Sequence, residues 1–408
     1  MSTSSLTQPT GWGVLRQSDF LRFILARFMS ALALQMVIVA VGWLVYDLTS
    51  SAFALGLVGL SIFLPTVALS LIAGHIADSH DRARVVAFSQ ALIAAVCLAL
   101  YLFARSGTHD MLPAYGLMAV MGAARSFVNP ANQALMPTLI PREQFSSAVA
   151  VNSSTWQCAV IAGPAAGGLL YAFGPEVVFA VAACLTAISA YLALSIARPR
   201  QHVSREPPTW ASLVAGIHFI RANPAILGAI SLDLFAVLLG GAASLMPIVA
   251  RDILHTGPWG LGLLRSAPAI GAFAVSLLLA HYPIRRHVGE RMFSAVAIFG
   301  VATIFFGLSS SLILSMLALI FMGAADMISV FLRQSLVQID TPDAMRGRVA
   351  AVNTVFIGAS NELGDFESGV VAAAIGAVPA VIIGGIGTIL IAALWARLFP
   401  ALRQRDEL

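Results

Sequence analysis

The residues best placed to do chemistry in this 408-residue chain are ionisable side chains set inside long apolar runs. Arg125 lies in the middle of one run, Asp233 and Asp326 lie well inside two later ones, and Glu362, Asp365 and Glu367 crowd a single run. A charge at the centre of a membrane-spanning helix costs about 2.5–3.5 kcal/mol on insertion scales, so a residue kept there is a candidate for binding or moving charge. Arg125 offers a guanidinium to an anionic solute group, or holds a nearby carboxylate ionised until solute or a proton arrives. The competing reading is a static charge pair that only holds helices together. Glu362 and Asp365 are three apart and share a helix face, whereas Glu367 points elsewhere, toward Arg265 or the outer mouth. Acids crowded in a low dielectric repel one another, and one of them is then a candidate proton carrier; the alternative is fixed bridges to Arg27, Arg265 or Arg333. No His sits convincingly at mid-membrane, which leaves a carboxylate for that role. Asn129, Asn132 and Gln133 follow Arg125, with Asn132 seven residues on and on the same face, while Gln35 and Met36 sit in the first run. These are candidate solute contacts or polar bonds between helices.

The composition demands such a reading. Hydrophobic residues make up 59% of the chain and charged residues 10%, against roughly half and a quarter in soluble domains. A disordered chain, a coiled coil, a disulfide scaffold and an ordinary cytosolic enzyme are excluded. All 23 basic residues are Arg, in short clusters between apolar runs, which fits anchoring to a membrane face rather than binding nucleic acid. Cys97, Cys158 and Cys184 have no metal-ligand spacing and read as packing residues. The polar stretch from Met1 to Gly13 has no cleavable-signal pattern.

The elements that position these groups are helices. Runs long enough to span a bilayer (about 20 residues) fall at 20–47, 54–77, 85–104, 113–136, 145–172 and 176–197, then at 224–250, 258–281, 291–309, 312–336, 349–374 and 377–399. They are continuous rather than alternating, which disfavours a barrel. The pattern predicts an all-α membrane protein of twelve transmembrane helices. It consists of an N-terminal six-helix bundle over 1–197, a cytoplasmic linker over 198–223 and a C-terminal bundle over 224–408. With both termini cytoplasmic, seventeen Arg fall in inner segments and only Arg105 and Arg251 in outer loops, the expected positive-inside bias. Trp210, Leu213, Ile217 and Ile220 in the linker have near-helical spacing, which predicts an amphipathic helix on the inner membrane surface; a plain linker is the alternative.

The two bundles are related. A shift of 201 residues places Gln133 on Gln334, Pro141 on Pro342, Ala150-Val151-Asn152 on Ala351-Val352-Asn353, Gly163 on Gly364, and Arg125 on Asp326. A shift of 206 places Leu55-Gly56-Leu57 on Leu261-Gly262-Leu263. A parallel repeat of six spans is expected of a transporter whose halves rock about a central site.

Gly74, Asp78, Arg82 and Arg84, between the second and third spans, form a loop that resembles the signature of the major facilitator superfamily, although Asp81 stands where that family usually has Gly. Gly163-Pro164-Ala165-Ala166-Gly167-Gly168 resembles the signature of its exporter branches, with Ala159 in place of the first Gly. Trp43–Thr49, Gly262–Pro268 and Asn361–Gly369 look like the subfamily of enterobactin exporters and transmembrane secretion effectors. The resemblance implies the major facilitator fold, with two bundles related by a pseudo-twofold axis. It implies that the Gly74–Arg84 cluster latches the halves on the cytoplasmic side when the cavity opens outward; simple positive-inside anchoring is the alternative. It also implies that the Gly163–Gly168 segment seals the halves during antiport, against ordinary tight packing. Spans four, seven and ten would line the central cavity, so Arg125, Asp233 and Asp326 are expected to face it. Within the loop, Asp78 can sit at a helix N-terminus, where backbone N–H groups favour negative charge. Pro164 removes a helical hydrogen bond, and Gly163, Gly167 and Gly168 permit close helix contact.

The expected activity is a proton-coupled exporter, working by alternating access, of a small amphipathic molecule such as a siderophore, drug or metabolite. An importer or lipid flippase of the same fold is the alternative. The chain carries no His-Glu-x-x-His, no Gly-x-Ser-x-Gly and no Walker loop, so neither an enzyme nor an ATP-driven pump is indicated. No cofactor or metal is expected beyond the proton gradient. The expected partners are the small-molecule substrate, protons and membrane lipid, without nucleic acid, for a monomer in the bacterial inner membrane.

Overall fold

The structure is a computed structural model that describes residues 11–197 and 210–407. The apolar runs fold into helices α1 (Ser18–Thr49), α2 (Ala52–Ser79), α3 (Arg82–Ser106), α4 (Leu112–Leu135), α5 (Phe145–Tyr171) and α6 (Pro175–Leu194). After the linker come α7 (Trp210–Ala222), α8 (Pro224–Leu239), α9 (Met246–Ile248, running into a π-helical turn to Ile253), α10 (Pro258–His281) and α11 (Val288–Leu308). The chain ends with α12 (Leu312–Asp340), α13 (Asp343–Ile375), α14 (Ala377–Leu398) and α15 (Pro400–Arg403). By length and composition alone, eight helices qualify as membrane spans among the described residues, and a bent pair formed by α7 and α8 makes a ninth. The remaining long helices, α4, α5 and α13, carry more Asn, Gln, Ser and charge, the residues that a lipid-facing helix avoids.

Packing follows the repeat. α1 packs on α5 and α6, α2 on α4, and α3 on α4 and α6; likewise α8 packs on α13 and α14, α10 on α12, and α11 on α12 and α14. The halves meet along two seams, α2 with α13 and α5 with α10. Each half has six transverse segments, so the start of α1 and the end of α14 lie on one face, here the terminal face; the opposite face is the distal one. Ser50 in the left-handed region ends α1, and the Ser51 hydroxyl accepts from the Ala54 N–H at 3.3 Å to open α2.

The expected continuous run 224–250 is broken. Helix α8 stops at Leu239, and helical structure resumes only at Met246. A Cβ on Gly240 would lie 2.8 Å from the Ala236 carbonyl, and one on Gly241 would lie 2.7 Å from the Gly364 carbonyl of α13. The backbone approach therefore needs glycine there, and two consecutive glycines weaken the helix. α7 turns 109° away from α8 and packs on α13. A Cβ on its Gly216 would lie 2.9 Å from the Arg348 carbonyl. The first part of the linker, 198–209, lies outside the described residues. Only Cys97 is packed inside; Cys158 and Cys184 are exposed, which corrects their reading as packing residues.

Candidate functional site: a charge network at the seam

The break after α8 frees backbone groups at membrane depth, and two charged side chains take up two of them. The Ser244 N–H donates to Asp365 Oδ1 at 3.2 Å, and the Arg265 guanidinium donates to the Ala243 carbonyl at 3.2 Å. Asp365 comes from α13 and Arg265 from α10, so the break is clamped by the two C-half helices that form the seams. One turn before Asp365, Glu362 reaches across. A Cβ on Gly59 of α2 would lie 3.6 Å from Glu362 Oε2 and 3.6 Å from the Asp365 Cβ. Glu362 interacts electrostatically with Asp365, with Arg265 of its own half and with Arg125 of the other. The acids acting on Arg265 are Asp365 and Glu362; Glu367 lies two residues beyond Asp365, on another face of α13.

Asp233 and Asp326 sit elsewhere than expected. Asp233 is 7% exposed and forms a 3.1 Å ion pair with Arg333, itself 2% exposed. Arg333 also donates to Asn353 Oδ1 at 3.1 Å. Asp233 and Asp326 line a small cleft among α8, α11 and α12 with Val296, Phe299 and Ser329. That cleft is inside the C-terminal half, between its own helices, rather than in a passage between the halves. The helix rotation that buries Asp233 against α12 is what hydropathy cannot show.

Arg125 lines a cavity inside the N-terminal half with Arg27, Gln90, Asn129, Asn132 and Trp156. The Arg27 guanidinium lies 5.7 Å from the Trp156 ring centroid. Asn132 is buried and Asn129 exposed. Gln35 sits in α1 with its stem under Gly163, where a Cβ would come within 2.5 Å of the Gln35 Cβ. Arg27, near the edge of its run, was not singled out by the sequence as a site residue.

In the Gly74–Arg84 loop, Asp81 is the carboxylate that caps the N-terminus of α3. Asp81 accepts from the Ala83 and Arg84 N–H groups at 3.1 and 3.3 Å and opens α3, whereas Asp78 and Gly74 lie in α2. The side chain of Asp78 lies outside the described set. Arg82 donates to the Ala134 carbonyl at 3.0 Å, joining α3 to the end of α4 within one half, and Arg84 pairs with Asp81 at 3.7 Å. The glycine signature divides its work. Gly163 and Gly167 admit α1 of their own half, where a Cβ would lie 2.5 Å from the Gln35 Cβ and 2.8 Å from the Met36 Cα. Gly168 meets the other half, 2.5 Å from the Pro258 carbonyl, and Gly262 lies as near the Pro164 carbonyl. Gly168 and the Pro164 carbonyl therefore contribute to the contact between the halves.

These cross-half contacts gather toward the distal face. The Tyr46 hydroxyl donates to Asp252, and Arg251 donates to the Tyr46 carbonyl at 3.1 Å and lies 3.6 Å from Asp47. Phe53 packs on Phe366 at 6.2 Å. The Ser266 hydroxyl donates to the Ile161 carbonyl at 2.7 Å, and the Gln157 amide donates to the Ala269 carbonyl at 2.8 Å. Tyr46, Asp47, Arg251 and Asp252 lie at run ends, where hydropathy gives no signal.

Two helical halves related by a repeat, joined along two seams with a charged cluster at one of them, define a multi-pass membrane transporter of the major facilitator fold. The chain belongs to the transmembrane secretion effector family, whose profile matches residues 9–408. It is 28% identical over 376 residues to the enterobactin exporter EntS of Shigella boydii serotype 4, covering 91% of this chain and 86% of that protein. It is 28% identical over 394 residues to the enterobactin exporter EntS of Citrobacter koseri, covering 94% and 92%. A crystal structure of a variant of the nucleoside transporter NupG superimposes with a TM-score of 0.76 at 12% identity, covering 93% of this chain and 100% of that one. A bacterial homolog of the lysosomal transporter Spinster, inward-facing and unoccupied, gives a TM-score of 0.75 at 14% identity, covering 96% and 98%. At such identities the two structures speak for the fold alone.

Proposed function

We propose that this protein exports a small amphipathic molecule in exchange for protons across the bacterial inner membrane, with both termini cytoplasmic, by alternating access between its halves. The observation that carries the reading is Glu362. It stands on the α2–α13 seam beside Gly59 of the other half, and it interacts electrostatically with Arg125 across the seam and with Arg265 within its own half. A carboxylate there feels any change in the relation of the halves, which couples its proton to their rocking. Asp365 and Arg265 have a different task, since each already satisfies a backbone group of the broken span. Asp233 is held by Arg333. Glu362 is thus the proton carrier in this reading, and Arg125 its partner across the seam. The relatives are named as exporters of enterobactin; the direction is carried over here, and enterobactin serves as the first cargo to test.

Everted vesicles containing the chain are offered enterobactin and a panel of amphipathic siderophores. The account expects accumulation that a protonophore abolishes, and about tenfold less accumulation for Glu362→Gln. Accumulation that ignores the proton gradient would contradict proton exchange, and unaltered coupling in Glu362→Gln would remove that residue from the proton path.

A further inference from the structure

The two halves carry opposite charge at matching places. The shift that superimposes Leu55-Gly56-Leu57 on Leu261-Gly262-Leu263 also carries Arg27 to Asp233. The shift that carries Arg125 to Asp326 also carries Asn132 to Arg333 and Asn152 to Asn353. The helices concerned occupy equivalent positions, α1 against α5 and α6 as α8 against α13 and α14. In the C-terminal half one of the two acids is answered by an ion pair within the chain: Arg333 pairs with Asp233 and is itself held by Asn353, while Asp326 meets Arg333 only electrostatically. In the N-terminal half the two acids are replaced by two arginines, and the position of the answering charge is a neutral amide, Asn132. No carboxylate forms an ion pair with Arg27 or Arg125 among the described residues. Glu362 reaches Arg125 only electrostatically, from the other half. Arg27 Nε is buried without a hydrogen-bond partner, as is Arg333 Nε in the C-terminal half, but Arg333 has an ion pair beside it. An uncompensated buried charge is costly and is kept where something else completes it.

We propose that an anionic group of the transported molecule supplies the missing charge, so that this N-half cavity selects organic anions as cargo. Its volume of about 50 Å³ is several times the roughly 10–15 Å³ needed to seat one water and suits a carboxylate-sized head group rather than a whole amphipathic molecule. Arg27 and Arg125 bind the head group, with the Asn132 amide as a further donor. The apolar body of the cargo stays outside the cavity, against Trp156, which is 38% exposed, and beside Asn129 at the rim. Arg27 over one side of the Trp156 ring leaves the rest of the indole for a flat apolar group. This inference rests on the transporter reading for its biological meaning, but its test needs neither a proton gradient nor a direction of transport.

The full chain in detergent is titrated calorimetrically with 2-naphthoate and with its neutral isostere 2-naphthamide. The expected result is a naphthoate affinity at least about tenfold above that of the amide, the scale of one charge-assisted contact. Arg27→Gln and Arg125→Gln should each remove most of that preference, so that acid and amide bind with similar affinity. Equal affinities for acid and amide in the wild-type protein, or no binding of the acid, would overturn the proposal whatever the variants do. So would a full acid preference that survives Arg27→Gln. Failure of proton-dependent export in vesicles alongside an intact acid preference would instead count against the exchange mechanism alone.

Discussion

A buried arginine needs acceptors for its N–H groups, and Arg333 meets two, on Asp233 and Asn353, while its Nε has none. Asp233→Asn breaks that ion pair, leaving Arg333 only the electrostatic influence of Asp326, and should destabilise the protein by about 3–5 kcal/mol, read as a fall in thermal unfolding temperature. Arg333→Met combined with Asp233→Asn should recover much of the loss, because neither charge then remains buried. Wild-type stability of the single variant would show that the pair does not hold the C-terminal half together. The candidate residues were legible in the sequence because charge inside apolar runs is conspicuous: Arg125, Asp233, Asp326, Glu362 and Asp365 all stand out. Their partners were not. Which of its neighbours a helical residue meets depends on the rotation of the helix about its axis, and hydropathy in a run that is apolar all round carries no such phase. Asp233 was therefore expected in a central cavity and is instead paired inside its own half. Arg27 reads from the sequence only as a candidate bridge to the clustered acids, because it lies near the end of its run, where an arginine passes for an interfacial anchor; its match to Asp233 in the repeat is the signal for more.

At the scale of elements, the helices were readable from run length and the break in the seventh span was not. Gly240-Gly241-Ala242-Ala243-Ser244 is too apolar to interrupt a hydropathy run, yet its two glycines permit the close approach of α13 and α14. Gly241→Leu drives a side chain toward the Gly364 carbonyl, 2.7 Å from where its Cβ would lie. It should cost about 1–3 kcal/mol by overpacking and dislodge Ser244 from Asp365. Gly347 is the contrasting case: no atom lies within 4 Å of an added Cβ, and its backbone is helical. Gly347→Ala should leave stability unchanged or raise it by up to about 1 kcal/mol. Thermal unfolding of the two variants side by side separates backbone approach from helix propensity as the reason for each glycine; equal effects would reject the distinction. The glycine signature of α5 was similarly legible as close packing, but only the structure shows that Gly163 and Gly167 serve α1 while Gly168 serves the seam.

At the scale of the whole molecule, the halves are fastened toward the distal face by Tyr46 with Asp252, Arg251 with Asp47, and Gly168 with Gly262. The repeat implied two rocking halves; it could not say which face is fastened, since both arrangements use the same spans. In the proposed cycle the distal fastening loosens and the terminal face closes as Glu362 changes its protonation, with Arg125 and Arg265 as the charges it answers to. This can be measured directly. Spin labels at Glu143→Cys and Asp343→Cys, on exposed terminal-face positions of the two halves, are introduced after replacing Cys97, Cys158 and Cys184 by Ala. Their separation is then followed by double electron–electron resonance in nanodiscs between pH 5 and 9. The account predicts two distance populations whose ratio changes with pH in the parent protein and becomes independent of pH in Glu362→Gln. The same pH-dependent shift in both proteins would contradict it.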